Sequence, residues 1–282
     1  MSENAPNLLV VDWDFFFRNP SYAADLGVEE GDLMLYLWDH AESPVYTFGP
    51  IATQVWAERA SGFLKSDMPL PMATNWENFW SRFRFDEYDV PVYYADSNLW
   101  AGKIMPSSLG WDLEDQGLRD AWATVSLYDA HHDCGYKNTG SFEEWQAKDR
   151  ISCEDWMLAH HEQGSRLEVT YPAWRKEIGQ VEPEPLVPVK RRVDDGTTED
   201  RVYHAVFVCR SGAWVPPWCD GQFTEFLHAG PNMHPTRMMD ELWEHPRADV
   251  LGQARQDLEA RKRVEARIAG LKAAGLPNGE AR

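Results

Sequence analysis

The stretch WATVSLYDAHHD (122–133) is apolar as far as Tyr128 and then abruptly polar. A short apolar run with β-branched and aromatic residues is typical of a strand buried in a sheet. The run LLVVDWDFFF (8–17) has the same character and carries Asp12 and Asp14. Both runs therefore predict buried strands that present acidic side chains at their carboxyl ends.

Further segments alternate between the patterns of strands and helices. Apolar residues recur at helical spacing over 51–64, whereas SRLEVTYP (165–172) has the pattern of an extended segment. This alternation predicts an α/β fold with a mainly parallel sheet flanked by helices, whose ligand sites lie at the carboxyl ends of the strands. The same patterns predict strands at 33–40 and 89–96 and a helix at 153–164.

We expect one α/β domain over residues 1–245, followed by a peripheral C-terminal helix and a polar tail over 246–282. Residues 179–202 are rich in proline and charge, which predicts either a hairpin or a loop. The aromatic segment NWENFWSRF (75–83) is explained by a buried helix capped by Asn75, and equally by a cleft cover or an interface.

The composition restricts the class of partner. The chain has 46 acidic and 27 basic residues and a formal net charge of −19, which repels phosphate backbones and anionic lipids. We therefore expect a cationic small molecule or peptide as substrate, and neither nucleic acid nor a membrane as partner; the acidity serves solubility equally well. No export signal precedes the first strand, and the four cysteines lack a CxxC spacing, so we expect a cytoplasmic protein with reduced thiols.

The two acidic segments also predict a metal site. In an extended backbone, Asp129, His131 and Asp133 point to one side, and so do Asp12 and Asp14. Carboxylates this close repel one another unless cations neutralise them, and carboxylate and imidazole ligands without thiolate suit Mn²⁺. We therefore expect two Mn²⁺ ions held by these five side chains. The alternative is that the aspartates cap a helix or satisfy loop backbone.

The motif DAHHD resembles the DAHxD signature of the arginase and deacetylase superfamily, and DWDFFF resembles the aspartate pair of its binuclear site. CEDW (153–156), YPAW (171–174) and CRS (209–211) are similar to segments of the branch that contains the peptide arginases. The resemblance implies a three-layer fold and a ureohydrolase that converts arginyl groups to ornithine and urea. It also implies a histidine ligand upstream, for which His40 is the candidate.

One feature departs from the superfamily. There the aspartate pair usually follows the DAHxD element, whereas Asp12 and Asp14 precede Asp129 here. A permuted strand order would account for the difference. Two further functions remain open, namely a metal-dependent amide deacylase and a binding or regulatory protein that has lost its chemistry.

Additional residues are candidates for catalysis and for substrate binding. Glu154 and His161 are the candidates for catalysis: His161, with His160 beside it, for donating a proton to the leaving amine, and Glu154 for holding the guanidinium group. Asp155 and Asp220 are candidates for holding a cationic group. Each has a simpler explanation, because acidic residues favour first helical turns or tight turns and histidines are common on helix surfaces.

Overall fold

Parallel pairing organises the chain, which we describe from a computed structural model. The model describes residues 6–18, 50–65, 69–86, 90–109, 120–148, 150–177, 182–230, 233–239 and 249–273. The strands are β1 (Asn7–Asp12), β2 (Arg84–Phe85), β3 (Val90–Ala95), β4 (Thr124–Tyr128), β5 (Arg166–Tyr171), β6 (Lys190–Val193), β7 (Val202–Tyr203), β8 (Ala205–Cys209) and β9 (Met233–Met238). The helices are α1 (Pro50–Lys65), α2 (Phe142–Lys148), α3 (Met157–Glu162), α4 (Ala173–Glu177), α5 (Asp220–His228) and α6 (Val250–Ala273).

Seven of the described strands form a parallel sheet in the order β6-β5-β4-β1-β8-β3-β9, and β2 pairs with β7 separately. The sheet is covered on both faces, since successive residues of β1 enter different hydrophobic clusters. Leu9 and Val11 pack in the cluster that contains α1 and α5, whereas Leu8 and Val10 pack in the one that contains α2 and α3. The fold is therefore a three-layer α/β fold, as the sequence predicts.

The buried strands explain the continuous apolar runs in the sequence. All five residues of β4 are buried, as are all five of β8. A strand covered on both faces cannot alternate between apolar and polar residues. Each fully buried Val, Leu or Phe side chain contributes roughly 1.5–3 kcal/mol.

Several predicted elements form as expected. The helix predicted at 51–64 is α1, and the strands predicted at 89–96 and 165–172 are β3 and β5. The last helix is also confirmed as α6, whose Val250 and Ala254 are buried while its later turns are exposed. The strand predicted at 33–40 lies outside the described residues.

Other predictions are wrong in their details. The segment 75–83 does not form an α-helix, because Asn75 has a left-handed φ of 64° and only Trp80–Arg82 forms a 3-10 turn. Its four large aromatic side chains are nevertheless buried. The predicted hairpin does not form, since β6 pairs with β5 at one edge of the sheet and three strands separate β6 from β8. The helix predicted at 153–164 begins only at Met157, after a turn over 153–156.

None of the helices in the described part of the chain combines the length and the apolar character that crossing a membrane requires. The four cysteines all lie in the described ranges, and no disulfide joins them.

Candidate metal centre

Four neighbouring strands end at the same edge of the sheet. Val11 of β1 pairs with Tyr128 of β4, and Cys209 of β8 pairs with both Asp12 and Ala95. The residues that follow these strands therefore meet above the carboxyl edge, which is where parallel α/β sheets bind ligands.

Asp12 and Asp14 reach this edge through a tight turn rather than an extended backbone. β1 ends at Asp12, and Trp13–Phe16 forms a 3-10 helix whose first turn is capped by Asp12. Asp12 Oδ1 accepts a hydrogen bond from the backbone N–H of Asp14 at 2.9 Å. Asp14 Oδ1 accepts one from the backbone N–H of Ala130 at 3.3 Å. The predicted period-two geometry is wrong here, but both carboxylates still enter the site.

The DAHHD segment is also not extended. Asp129 Oδ1 accepts the backbone N–H of His131 at 2.7 Å, a local turn that an aspartate commonly stabilises, and Asp133 has a left-handed φ of 47°. This turn brings His131 Nδ1 to 3.3 Å from Asp14 Oδ2 and 3.4 Å from Asp129 Oδ1. Ligand atoms of Asp14, Asp129 and His131 all lie within 4.8 Å of one another.

Asn98 is the most important residue that the sequence analysis missed. It follows β3 and its Nδ2 lies 2.6 Å from Asp12 Oδ2, 3.1 Å from Asp129 Oδ2 and 3.0 Å from Asp133 Oδ2. The sequence carries a partial signal, because the polar run DSN (96–98) follows the apolar VPVYYA as polar residues follow β1 and β4, but this run does not show which strands lie next to β3.

Two further polar groups hold the carboxylates. Trp156 donates its Nε1 hydrogen to Asp133 Oδ2 at 2.6 Å from a fully buried position, and the Ser211 hydroxyl hydrogen-bonds to Asp12. Ser211 follows β8 and has a φ of 53°. Each carboxylate is therefore oriented by groups from a different element.

Burial and mutual repulsion raise the pKa of three of the four aspartates. For Asp12 and Asp129, burial is the largest cause and the charge of Asp14 the next. Burial raises the pKa of Asp133 to about 7. Burial acts on Asp14 in the same direction, but the hydrogen bond from His131 and its charge outweigh burial and lower the pKa of Asp14.

The pKa of His131, whose side chain is 33% exposed at the mouth of the cluster, is raised rather than lowered. Burial disfavours the imidazolium, but hydrogen bonds to Asp129 and Asp14 outweigh it and raise the pKa well above its usual value. In the metal-free protein, protons and this imidazolium therefore neutralise the carboxylates. A divalent cation would replace both, so the donor set fits a metal ion.

The cluster lines the floor of a partly open cleft with a volume of about 150 Å³. Glu154 lies in the cleft wall and is exposed, so the geometry permits it to contact a substrate. That contact stays a prediction. Tyr136, Cys153, Ser211 and Trp214 complete the wall. The lining holds five carboxylates and one imidazole, and none of its described residues is lysine or arginine.

The structure does not bring the remaining sequence-predicted residues to the cleft. His161 packs its ring edge-on against Phe142, with a centroid distance of 5.4 Å. Asp155 Oδ1 accepts the backbone N–H of Ser152, and Asp220 lies 3.5 Å from Arg210 Nη1. None of the three is among the cleft-lining residues, because each serves a local turn, ring or ion-pair contact.

Two further histidines do not line the cleft. His160 is fully buried, and its Nε2 lies 3.0 Å from the carbonyl oxygen of Ala101, far from solvent. His132 is also fully buried, and its Nε2 lies 2.9 Å from the carbonyl oxygen of Pro183 rather than in the cluster. His40 lies outside the described residues.

A second layer supports the DAHHD turn. Glu182 Oε1 accepts the backbone N–H of His132 at 3.0 Å and the hydroxyl of Tyr136 at 2.9 Å, and its Oε2 accepts the hydroxyl of Tyr171 at 2.7 Å. These contacts fix the backbone next to His131 and one wall of the cleft. No local sequence pattern could reveal them, because Glu182 is 50 residues from His132.

The geometry is thus that of four aspartates and one histidine gathered at the ends of four parallel strands, among which Asp14, Asp129 and His131 could hold a metal ion. Carboxylate and imidazole donors without a thiolate would suit Mn²⁺ or Mg²⁺ better than structural zinc. Comparison of the chain with protein-family models, curated proteins and solved structures found no match.

Proposed function

We propose that this protein is a binuclear Mn²⁺-dependent hydrolase of carbon–nitrogen bonds that acts on guanidinium groups and releases urea. One observation carries the proposal: Asp12, Asp14, Asp129, His131 and Asp133 converge on the floor of an acidic cleft. The resemblance of DAHHD and DWDFFF to the arginase and deacetylase superfamily supports the same reaction.

The side chains divide into two ligand sets that share one residue. Asp129 Oδ1 faces His131, and Asp129 Oδ2 faces Asn98. Two ions, one beside His131 and Asp14 and the other beside Asp12 and Asp133, would use both oxygens. When bound, such a pair supplies a water activated near neutral pH and positive charge opposite a developing tetrahedral centre.

The charge of the cleft favours a cationic substrate over an anionic one. Glu154 is exposed in the wall and is not needed to hold metal, so it can accept hydrogen bonds from a guanidinium group. The Trp214 ring lies in the same wall, with its centroid 6.5 Å from that of His131, and gives a flat surface on which a planar cation stacks.

The reaction adds one water to the guanidinium carbon and breaks its bond to the substituted nitrogen. The products are urea and an alkylammonium ion, so the departing nitrogen must gain protons while water loses them. Glu154 would carry a proton between them, because it is the exposed carboxylate of the cleft lining and the other four carboxylates belong to the proposed metal sets. Among the cleft-lining residues, His131 is the one imidazole, and it serves as a ligand.

The proposed setting follows from charge and cysteine chemistry. A net charge of −19 disfavours nucleic acid and anionic membranes as partners. We propose a cytoplasmic enzyme with reduced thiols, whose substrate is arginine, an agmatine-like amine or an arginyl residue of a peptide.

Urea release tests the proposal. Protein freed of metal with chelator and reloaded with Mn²⁺ is incubated with arginine, agmatine and arginine-containing peptides, and an acetyl-lysine peptide is the control substrate. We expect urea from at least one guanidinium substrate and none from Glu154→Gln, while Glu143→Gln, an exposed change on α2 outside the cleft, retains activity. Acetate release without urea would replace this proposal with deacylation, and neither product would leave metal binding without hydrolysis.

A further inference from the structure

The side-chain amide of Asn98 is buried, and its nitrogen and oxygen differ in their hydrogen bonds. Asn98 is 4% exposed, and its Oδ1 has no hydrogen-bond partner within the part of the chain that the structure describes. Burial of an amide oxygen without a partner is unfavourable, because the oxygen loses its hydrogen bonds to water. Such a cost is typical of a group that has a partner in another state of the site.

The other half of the amide has too many partners. Nδ2 carries two hydrogens but lies within 3.1 Å of oxygens from Asp12, Asp129 and Asp133. Two N–H groups cannot satisfy three carboxylates with good geometry. Three acidic oxygens thus converge beside this end of the amide, which is the environment of a cation.

The structure sets this point apart from the cluster at His131. The carboxylate oxygens nearest to Asn98 are Oδ2 of Asp12 and of Asp129. Oδ1 of Asp129 faces His131, and Oδ1 of Asp12 accepts the backbone N–H of Asp14. The two oxygens of each carboxylate therefore serve different neighbours.

We propose that Asn98 is an oxygen ligand of a second divalent cation held with Asp12, Asp129 and Asp133. A half turn of the amide exchanges Nδ2 for Oδ1, so the amide donates hydrogen bonds to the carboxylates without the ion and offers its oxygen with it. The inference rests on one part of the proposed function, the two-ion centre. It does not require that the protein hydrolyses any substrate.

The two ions then differ in their ligands. The set at Asp14, Asp129 and His131 includes an imidazole nitrogen. The set at Asn98 contains only oxygen atoms, three from carboxylates and one from the neutral amide. Oxygen-only sets suit Mn²⁺ and Mg²⁺. Loss of Asn98 should therefore remove one ion and leave the other.

Manganese stoichiometry and electron paramagnetic resonance test the inference. Wild type, Asn98→Leu, Asn98→Asp and the exposed control Asn78→Leu are freed of metal, dialysed against Mn²⁺ and measured. We expect about two ions per chain and an exchange-coupled spectrum for wild type and Asn78→Leu. Asn98→Leu should hold about one ion with an isolated six-line spectrum, because its affinity for the second ion falls by about 10- to 100-fold.

The Asn98→Asp variant keeps the shape of the side chain and guards against a folding defect in Asn98→Leu. A ligand carboxylate adds charge, so Asn98→Asp should retain two coupled ions and bind the second about tenfold more tightly. Two coupled ions in folded Asn98→Leu would overturn the inference. No stoichiometric Mn²⁺ in wild type would remove both the inference and the proposed function, whereas two ions without urea release would remove only the function.

Discussion

The carboxylate of Asp129 contacts two neighbouring side chains, one through each oxygen. Its Oδ1 is 3.4 Å from His131 Nδ1, and its Oδ2 is 3.1 Å from Asn98 Nδ2. Its residue is 1% exposed, so water contributes little to its stabilisation. At the scale of the residue, one carboxylate therefore connects the two ligand sets.

Asp129→Asn tests this bridging position. The substitution keeps the shape but removes one negative charge from both sets, so we expect less than about one Mn²⁺ per chain after desalting. Asp155→Asn is the matched control, because Asp155 caps a nearby turn outside the cleft lining and should keep full metal content. Equal metal content in the two variants would show that Asp129 is not a ligand.

His160 carries a prediction about pH. Burial lowers the pKa of His160 to about 4 from an ordinary value of 6.5. The unfolded chain therefore gains a proton as pH falls through 6.5, whereas the folded chain does not until about 4. Stability is thus lost on acidification across this window, by up to about 3 kcal/mol.

Urea unfolding of metal-free wild type and His160→Gln from pH 7 to pH 4.5 measures this effect. The difference in unfolding free energy, wild type minus variant, should decrease steadily as the pH falls, because only the wild type loses the contribution of a neutral imidazole. Contributions from the aspartates are shared by both proteins and cancel. A difference that stays constant over the range would contradict the assigned pKa.

At the scale of the elements, an ion pair fixes the ends of β3 and β8. Asp96 Oδ1 accepts hydrogen bonds from Arg210 Nε at 2.6 Å and from the backbone of Gly212 at 3.2 Å, and all three residues are buried. Asn98 follows Asp96 and Ser211 follows Arg210. The ion pair thereby sets the spacing of two residues that contact the aspartates.

Gly212→Ala should disturb that arrangement. A Cβ at Gly212 would lie 2.4 Å from Asp96 Oδ1, so the buried carboxylate would have to leave its partners. We expect a loss of about 1–3 kcal/mol in unfolding free energy, measured by urea denaturation. Gly221→Ala is the control with the opposite sign, since nothing lies within 4 Å of its Cβ in α5 and alanine favours helix by about 0.5–1 kcal/mol. Destabilisation of equal size at both glycines would contradict the packing at Gly212.

The elements also show why part of the site could be predicted. Apolar runs with polar ends identify β1 and β4 without any knowledge of their order, and parallel sheets bring such ends together. Asn98 was missed because its role depends on β3 lying next to β8, which no local pattern reveals. The turn at Asp133 was missed because a left-handed φ in a non-glycine residue leaves little trace in sequence.

At the scale of the whole molecule, negative charge is concentrated at one point of an acidic protein. The net charge is −19, and the cleft places four buried aspartates on one floor. Their repulsion opposes folding wherever they ionise without a cation. The metal-free protein should therefore be less stable than the loaded one near neutral pH.

Thermal unfolding with Mn²⁺ and with chelator measures this difference. At a free Mn²⁺ concentration 100 times the dissociation constant, one site stabilises the fold by about 2.7 kcal/mol, which raises the melting temperature by several degrees. Sodium chloride at matched ionic strength is the control for general screening. Identical melting curves with Mn²⁺ and with chelator would show that no ion binds preferentially to the folded state.

Anomalous diffraction at the manganese edge from crystals of the Mn²⁺-loaded protein tests the two-ion centre most directly. We expect two peaks, one among Asp14, Asp129 and His131 and one among Asp12, Asn98 and Asp133. A single peak at His131 would contradict the assignment of Asn98, and the absence of any peak above these four strand ends would contradict the metal centre itself.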